Sequence, residues 1–243
     1  MADSSLPTII VPARLASSRF PRKLLADTGG MPLILRTAYR LQDQAPEYEL
    51  FFAVDGEELA KPLEDAGFTT LITDPNLPSG TDRIAQANLT LEREAVLNVQ
   101  ADEPLVTRDH ILALTKAIHK KGADLATLAT PFLNHQDFTD PNQVKVVLDR
   151  MGFALMFSRS PIPYDREKGG QFNSLSYKHL GLYAYRKDFL EDFTKIPSGD
   201  LENLEKLEQL RALENGKRIA VEIIDHGTIG VDTREDLMEI EFD

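Results

Sequence analysis

Short apolar runs alternate along this chain with longer stretches whose apolar positions recur at helical spacing. Residues 8–12, Thr8-Ile-Ile-Val-Pro12, read as a buried strand, and residues 32–43 as the helix that follows it. The alternation continues with strands at 49–54, 68–73 and 95–100 and helices at 57–65, 81–92 and 110–120. Short strands separated by helices call for a mostly parallel sheet covered on both faces. The second half changes style. Strands are expected at 123–131, 144–149 and 152–157, the last two joined through the turn Asp149-Arg150-Met151-Gly152. A strand at 180–185, a helix at 202–215 stopped by Asn215-Gly216, a strand at 218–224 and a helix at 233–240 complete the pattern. Thr233 is a candidate N-cap, with Asp236 three residues on. The expected fold class is α/β: a single mixed, mostly parallel sheet flanked by helices, with an antiparallel insertion, in one domain over residues 1–243.

One helix resists a simple reading. Leu201, Leu204, Leu207, Leu210 and Leu213 recur every third residue, so the stripe winds around a 3.6-residue helix. Such a helix needs cover on more than one side, as from a second subunit. Glu208 falls angularly between Leu201 and Leu204. An acid there is either paired to a base or directed into a pocket, and the pattern alone favours the salt bridge.

Charge changes the picture more than composition does. The chain has 243 residues and a formal net charge of −12, yet Arg14, Arg19, Arg22 and Lys23 fall within one stretch that contains no acid. That stretch directly follows the first strand, at the end of a sheet where α/β proteins bind ligands. Arginine forks and a lysine point charge suit phosphate oxygens, and Ser17 and Ser18 add donors. The acidic balance excludes general binding to nucleic acid or anionic membranes. No apolar run approaches a membrane span, and the first residues lack the pattern of a secretory signal. There is no cysteine, hence no disulfide or thiolate chemistry, and a cytoplasmic setting is expected.

Two further loops carry chemistry. Ser79-Gly80-Thr81-Asp82-Arg83 opens a helix, where backbone N–H groups suit an anion or the edge of a base, although a plain helix cap explains the same residues. In Gln100-Ala101-Asp102-Glu103, the carboxylate of Asp102 lies just past a strand, as does that of Asp232 in Gly230-Val231-Asp232-Thr233. Two such acids make a hard-cation site possible, with capping by Asp232 as the competing reading. No Walker A or dinucleotide-binding glycine motif occurs.

Taken together these segments resemble the 3-deoxy-manno-octulosonate (Kdo) cytidylyltransferase, or CMP-Kdo synthetase, family. The resemblance rests on Val11-Pro-Ala-Arg-Leu-Ala-Ser-Ser-Arg-Phe-Pro21 with Lys23, on residues 79–83 and 98–104, on Val144-Lys-Val-Val147 and Phe157-Ser-Arg159, and on His179-Leu-Gly181, Leu207-Glu-Gln-Leu-Arg211 and Gly230-Val-Asp-Thr233. It implies a nucleotide-diphospho-sugar transferase-like fold, a homodimer, CTP and Mg2+. It also implies a nucleotide-binding half over 1–122 and a sugar-binding and dimerisation half over 123–243. By motif position, Arg14, Ser17, Arg19 and Lys23 would hold the triphosphate; Ser79, Gly80, Thr81 and Arg83 the cytidine; and Asp102 and Asp232 the Mg2+. Gln100, Arg159, His179, Tyr183, Glu208 and Gln209 would hold the sugar acid, Kdo or its 8-amino form. Lys23, Arg14, Asp102 and Asp232 would be catalytic. A sialate-type synthetase, or a CTP-binding module without turnover, are the alternatives. Two positions depart from the family pattern. Arg22 and Ala101 stand where glycine is usual, so Arg22 would add a phosphate contact or crowd the loop, and Ala101 would be strained if its φ were positive.

Overall fold

In the computed structural model the chain is described over residues 6–17 and 20–240. It divides into two compact units, one running to Ile111 and rejoined by the stretch from Thr228, the other spanning Leu112–Gly227. The return of the C-terminal stretch puts Asp232 in the same unit as Lys23 and Asp102.

The first unit is built on four parallel strands, β1 (Thr8–Ala13), β2 (Leu50–Val54), β3 (Thr69–Ile72) and β4 (Ala95–Asn98), in the order β3-β2-β1-β4. Every residue of β1 is buried, which is why its sequence reads as a continuous apolar run rather than an alternation. Helices α1 (Leu33–Gln44), α2 (Glu57–Asp65) and α3 (Gly80–Leu91) connect the strands. The buried face of α1 carries Leu33, Ile34, Thr37, Ala38 and Leu41, one helical stripe. The chain passes into the second unit within α4 (Arg108–Ile118).

The second unit is mixed. Strand β5 (Leu125–Pro131) is followed by the short α5 (His135–Thr139), then by β6 (Lys145–Leu148) and β7 (Ala154–Ser158). Strands β6 and β7 form the expected antiparallel hairpin, closed by Gly152 donating from its N–H to Asp149 O with φ +74. Strand β8 (Tyr177–Arg186) runs antiparallel to β5, and β9 (Ile219–Ile223) parallel to it. Helix α6 (Lys187–Phe193) follows β8 directly, and α9 (Arg234–Glu239) closes the chain in the first unit. The mixed α/β class and the antiparallel insertion are as the sequence implies; α5 and α6 were not anticipated.

The expected single helix over 202–215 is corrected to two, α7 (Asp200–Glu205) and α8 (Gln209–Glu214). Lys206 breaks it in a left-handed conformation, φ 54 and ψ 47. The break dissolves the leucine puzzle: Leu207 and Leu210 are buried, while Leu204 is 80% exposed. The Glu214 carboxylate accepts the N–H groups of Leu201 and Glu202 at the start of α7, and the largely covered Arg211–Glu202 ion pair at 2.6 Å staples the two helices. Thr233 caps α9 as expected, in a reciprocal box with Asp236.

Candidate active site

The basic loop leaves β1 at Arg14 and is fixed at once by an acid from the neighbouring strand. The N–H of Leu15 donates to Asp55 Oδ2 at 2.8 Å, just past the end of β2. Asp55 escaped the sequence reading although it follows a buried strand, the same signal that singled out Asp102. Ser17 Oγ accepts from the N–H of Phe20, and Arg14, Ala16, Ser17, Lys23 and Leu24 line one side of a cleft of about 210 Å³. Ser18 and Arg19 lie outside the described residues.

Arg22 does adopt a left-handed backbone, φ 58 and ψ 28, where a side chain is strained. It neither lines the cleft nor crowds it: its guanidinium turns to Glu58 on α2, with both side chains about half exposed. Ala101 is free of the strain expected for a positive φ. It is buried, and its carbonyl accepts the hydroxyl of Thr37 at 2.8 Å.

Lys23 is the centre of the site. The residue is only 8% exposed, and a buried ammonium must have its donors met. Nζ lies 2.5 Å from Asp102 Oδ2, 2.5 Å from the carbonyl of Val231 and 3.5 Å from Asp232 Oδ1. The N–H of Val231 in turn donates to the carbonyl of Asp102 at 2.9 Å, so one backbone bond holds the two acidic segments together. Asp236 steadies the second segment. Burial works to raise its pKa, but N–H groups of Asp232 and Thr233 and the Thr233 side chain hold its carboxyl below the usual range. Pro12, Gln100, Ala101, Asp102 and Asp232 complete the cleft lining, and the two carboxylates remain partly open to it.

The donor set fits a hard divalent cation. Both side chains offer carboxylate oxygens, and they converge on one cation already, the Lys23 ammonium. Among the described residues no third His, Asp or Glu joins them. Mg2+ is characteristically held by one or two carboxylates, with water and substrate phosphates supplying the rest.

At the start of α3, Ser79 behaves as a helix cap, accepting from the N–H of Asp82 and donating to its carboxylate at 2.6 Å. Gly80 packs against Pro12, and an added Cβ would stand 3.4 Å from that ring and 3.8 Å from the Gln100 side chain. Thr81 is buried beside it. Arg83 is 2% exposed and donates to the hydroxyl of Thr73. Burial pushes its pKa down, and the nearby Asp55 carboxylate opposes this. None of these four residues lines the cleft, and Gly80 reaches it through Pro12 and Gln100.

The remaining predicted residues belong to the second unit. His179 sits on β8 with the edge of Phe157 at 4.9 Å and the Tyr183 ring at 5.4 Å. Burial pushes the imidazole pKa down to about 3, so the ring is neutral. Burial also raises the Tyr183 phenol, and the negative charge of Glu208 adds to that rise. Glu208 therefore acts electrostatically on a neighbouring phenol, at the position just before α8. Gln209 is 5% exposed, and among the described residues its amide nitrogen has no hydrogen-bond partner. Arg159 donates from Nε to the carbonyl of Glu205 at 2.7 Å and from Nη1 to that of Pro141 at 3.0 Å. It thus clamps the α7 end while part of its five-donor fork stays available. Beneath it Lys145, fully buried, donates to the carbonyls of Asp140 and Arg159, and burial lowers its pKa. Lys145 lies within the Val144–Val147 segment quoted above, but nothing there marks it as buried, because its partners are backbone carbonyls 5 and 14 residues away.

Comparison with known proteins places the chain in a family. A family model described as cytidylyltransferase matches residues 8–219. The 3-deoxy-manno-octulosonate cytidylyltransferase of Syntrophotalea carbinolica is 44% identical over 241 residues, 96% of each chain. That of Syntrophobacter fumaroxidans is 46% identical over 94% of this chain and 92% of its own. A solved structure of CMP:2-keto-3-deoxy-manno-octonic acid synthetase complexed with CTP superposes with a TM-score of 0.89, at 33% identity over 96% of both chains. A 4-diphosphocytidyl-2C-methyl-D-erythritol synthase from Anaerococcus prevotii shares the fold alone, at 15% identity and a TM-score of 0.61. With its lysine–diaspartate cleft and this likeness over nearly its whole length, the chain belongs to the 3-deoxy-manno-octulosonate cytidylyltransferase family.

Proposed function

We propose that this enzyme transfers CMP from CTP to the anomeric hydroxyl of 3-deoxy-manno-octulosonate and releases pyrophosphate. The new bond joins the sugar oxygen to the α-phosphorus, the bond from that phosphorus to the pyrophosphate oxygen breaks, and the hydroxyl proton is released. The observation that carries the reading is the meeting of Lys23, Asp102 and Asp232 in the cleft lined by Arg14. The relatives named for this reaction support it.

The work is positioning and charge neutralisation, since phosphoryl transfer needs little covalent help from a protein. Arg14, Ser17, Arg19 and Lys23 hold the triphosphate against the field of a chain of net charge −12. Lys23 neutralises charge developing at the transferred phosphorus. Ser79, Gly80, Thr81 and Arg83 border the cytidine. Gln100, Arg159, His179, Tyr183, Glu208 and Gln209 hold the sugar acid, with the Arg159 fork on its carboxylate. Asp102 and Asp232 would hold Mg2+, which when bound supplies Lewis-acid polarisation and a template for the phosphates. A homodimer working in the cytoplasm completes the proposal, and among the described residues no helix is long and apolar enough to cross a membrane. Arg22 paired outward and Ala101 unstrained remove the two sequence features that favoured a binding module without turnover.

The test is pyrophosphate release from CTP and Mg2+ with Kdo, 8-amino-Kdo and a sialic acid as acceptors. Release with Kdo is expected. Release with the sialate alone would overturn the sugar assignment, and a CTP-dependent rise in Tm with no release in any arm would overturn the enzymatic reading.

A further inference from the structure

Thr127 lies in the middle of β5, is fully buried, and belongs to none of the motifs discussed above. Its hydroxyl meets three groups: the carbonyl of Leu182 at 2.7 Å, the carbonyl of Leu180 at 3.0 Å and Nε2 of His179 at 2.9 Å. The local sheet geometry creates this meeting. The β5–β8 register slips between Thr127, opposite Tyr183, and Leu128, opposite Leu180. Gly181 and Leu182 are thus left without partners on β5, as in a β-bulge, and a bulge both frees carbonyls and re-aims side chains.

A hydroxyl has one hydrogen and two lone pairs. The two carbonyls can only accept, so the Thr127 hydrogen must serve them. Were it turned to His179 instead, two carbonyl oxygens would face the lone pairs of a buried oxygen at hydrogen-bond distance, with no proton between them. Thr127 therefore accepts from the imidazole, and Nε2 carries a hydrogen. The ring is held in place by its own backbone, whose N–H donates to the carbonyl of Val144 at 2.8 Å, and by the Phe157 edge. A neutral imidazole with its hydrogen on Nε2 offers a lone pair on Nδ1, and among the described residues Nδ1 has no hydrogen-bond partner.

We infer that Thr127 is a positioning residue that holds His179 as the Nε2–H tautomer, so that Nδ1 accepts a hydrogen bond from a hydroxyl of the sugar acid. The inference deepens the sugar-site reading above and rests on it for the identity of the donor. It assigns His179 a direction: the ring recognises a substrate O–H, and it neither binds the acid's carboxylate nor delivers a proton.

Nitrogen NMR of the imidazole in the nucleotide-free, sugar-free protein at neutral pH, in wild type, Thr127→Val and Thr127→Ser, reads the tautomer directly. Steady-state kinetics with Kdo and CTP on the same proteins read its consequence. Wild type and Thr127→Ser are expected to carry the hydrogen on Nε2. Thr127→Val, which keeps the shape and loses the acceptor, should show a mixture of tautomers. Its KM for Kdo should rise by about twofold, the reciprocal of the competent tautomer's share in an even mixture, with KM for CTP unchanged. Thr127→Ser should return KM for Kdo to near the wild-type value. A hydrogen on Nδ1 in wild type would overturn the proposal, as would a valine variant whose KM for both substrates rises while the imidazole signature stays put. His179→Gln with an unaltered KM for Kdo would instead sink the sugar-site reading, a failure the ligand-free spectrum distinguishes from the first.

Discussion

Lys23 in the first unit and Gln209 in the second are almost equally buried, at 8% and 5% exposure. Their surroundings are opposite. The Lys23 ammonium is met by two carboxylates and a carbonyl, whereas the Gln209 amide nitrogen has no hydrogen-bond partner among the described residues. The first cluster is charged and satisfied from within, so any ligand there must trade partners with the protein. In the second, burial depresses the histidine and raises the tyrosine beside the negative Glu208, and the buried Gln209 amide is left for a partner from outside. A polyanion and its cation require the first kind of site, where electrostatic exchange can be large. A hydroxyl-rich sugar requires the second, where specificity comes from hydrogen bonds that a wrong ligand would leave unmade. Substitutions in the first unit should accordingly damage kcat, and those in the second KM for the sugar acid.

The strongest test of that contrast is Asp102→Asn, which removes one charge and almost no volume. Turnover is expected to fall by about a thousandfold or more, because charge placement at the phosphorus is the main catalytic resource. CTP binding, read as the nucleotide-dependent rise in Tm, should survive because Arg14 and Ser17 are untouched. Near-normal turnover would remove Asp102 from the catalytic centre and erase the distinction between the units.

Next in size is Gln209→Met, the corresponding change in the second unit. Loss of a hydrogen bond made only to substrate should raise KM for Kdo by roughly 10- to 100-fold with little change in kcat. The same variant should unfold at an equal or slightly higher temperature, since it replaces a buried amide whose nitrogen is unpaired by an apolar chain of similar length. A loss of kcat with KM unchanged would place Gln209 among the groups acting on the transition state, against the comparison.

The pH dependence of stability examines the second cluster without any ligand. His179 titrates at about 3 in the fold against 6.5 unfolded. Between those values the unfolded chain carries a proton that the folded chain does not. Stability should therefore fall as pH drops below 6.5, by at most about 1.4 kcal/mol per pH unit from this group. Denaturant titrations of wild type and His179→Gln between pH 7 and 5, above the main carboxylate range, isolate it. Equal slopes in the two proteins would mean that the ring is not held neutral.

Much of the first unit was legible because its signals are local. A buried strand reads as an apolar run, and Arg14, Lys23, Asp102 and Asp232 each stand just past one or in the loop after it. The same rule would have found Asp55, had every acid after a strand been weighed. The second unit was less legible because its polar groups are satisfied across distance. Lys145 and Arg159 spend their donors on the carbonyls of residues 140, 141, 159 and 205, which no spacing rule anticipates. The break at Lys206 carries neither glycine nor proline, so the leucines on either side read as one helix; the Arg211–Glu202 staple and the Glu214 cap favour the break. Thr127 was invisible for the same reason, as its partners are fixed by a register slip.

Arg22 gives the smallest and most discriminating effect. It belongs to the cationic stretch by sequence, yet its guanidinium is paired with Glu58 and not turned to the cleft. Arg22→Gly relieves a left-handed backbone, a gain of about 1 kcal/mol, but gives back most of it through the unfolded chain's extra freedom. The exposed ion pair adds at most about 1 kcal/mol to the balance. The net change in Tm should therefore stay within a few degrees, and KM for CTP should move by less than about threefold. Glu58→Gln should have a similar small effect, and the double variant should match Arg22→Gly, because both remove the same contact and only the glycine also changes the backbone. A tenfold rise in KM for CTP in Arg22→Gly alone would show that Arg22 leaves Glu58 for the triphosphate when nucleotide arrives. The exchange of partners that marks the Lys23 cluster would then extend to the rim of the loop.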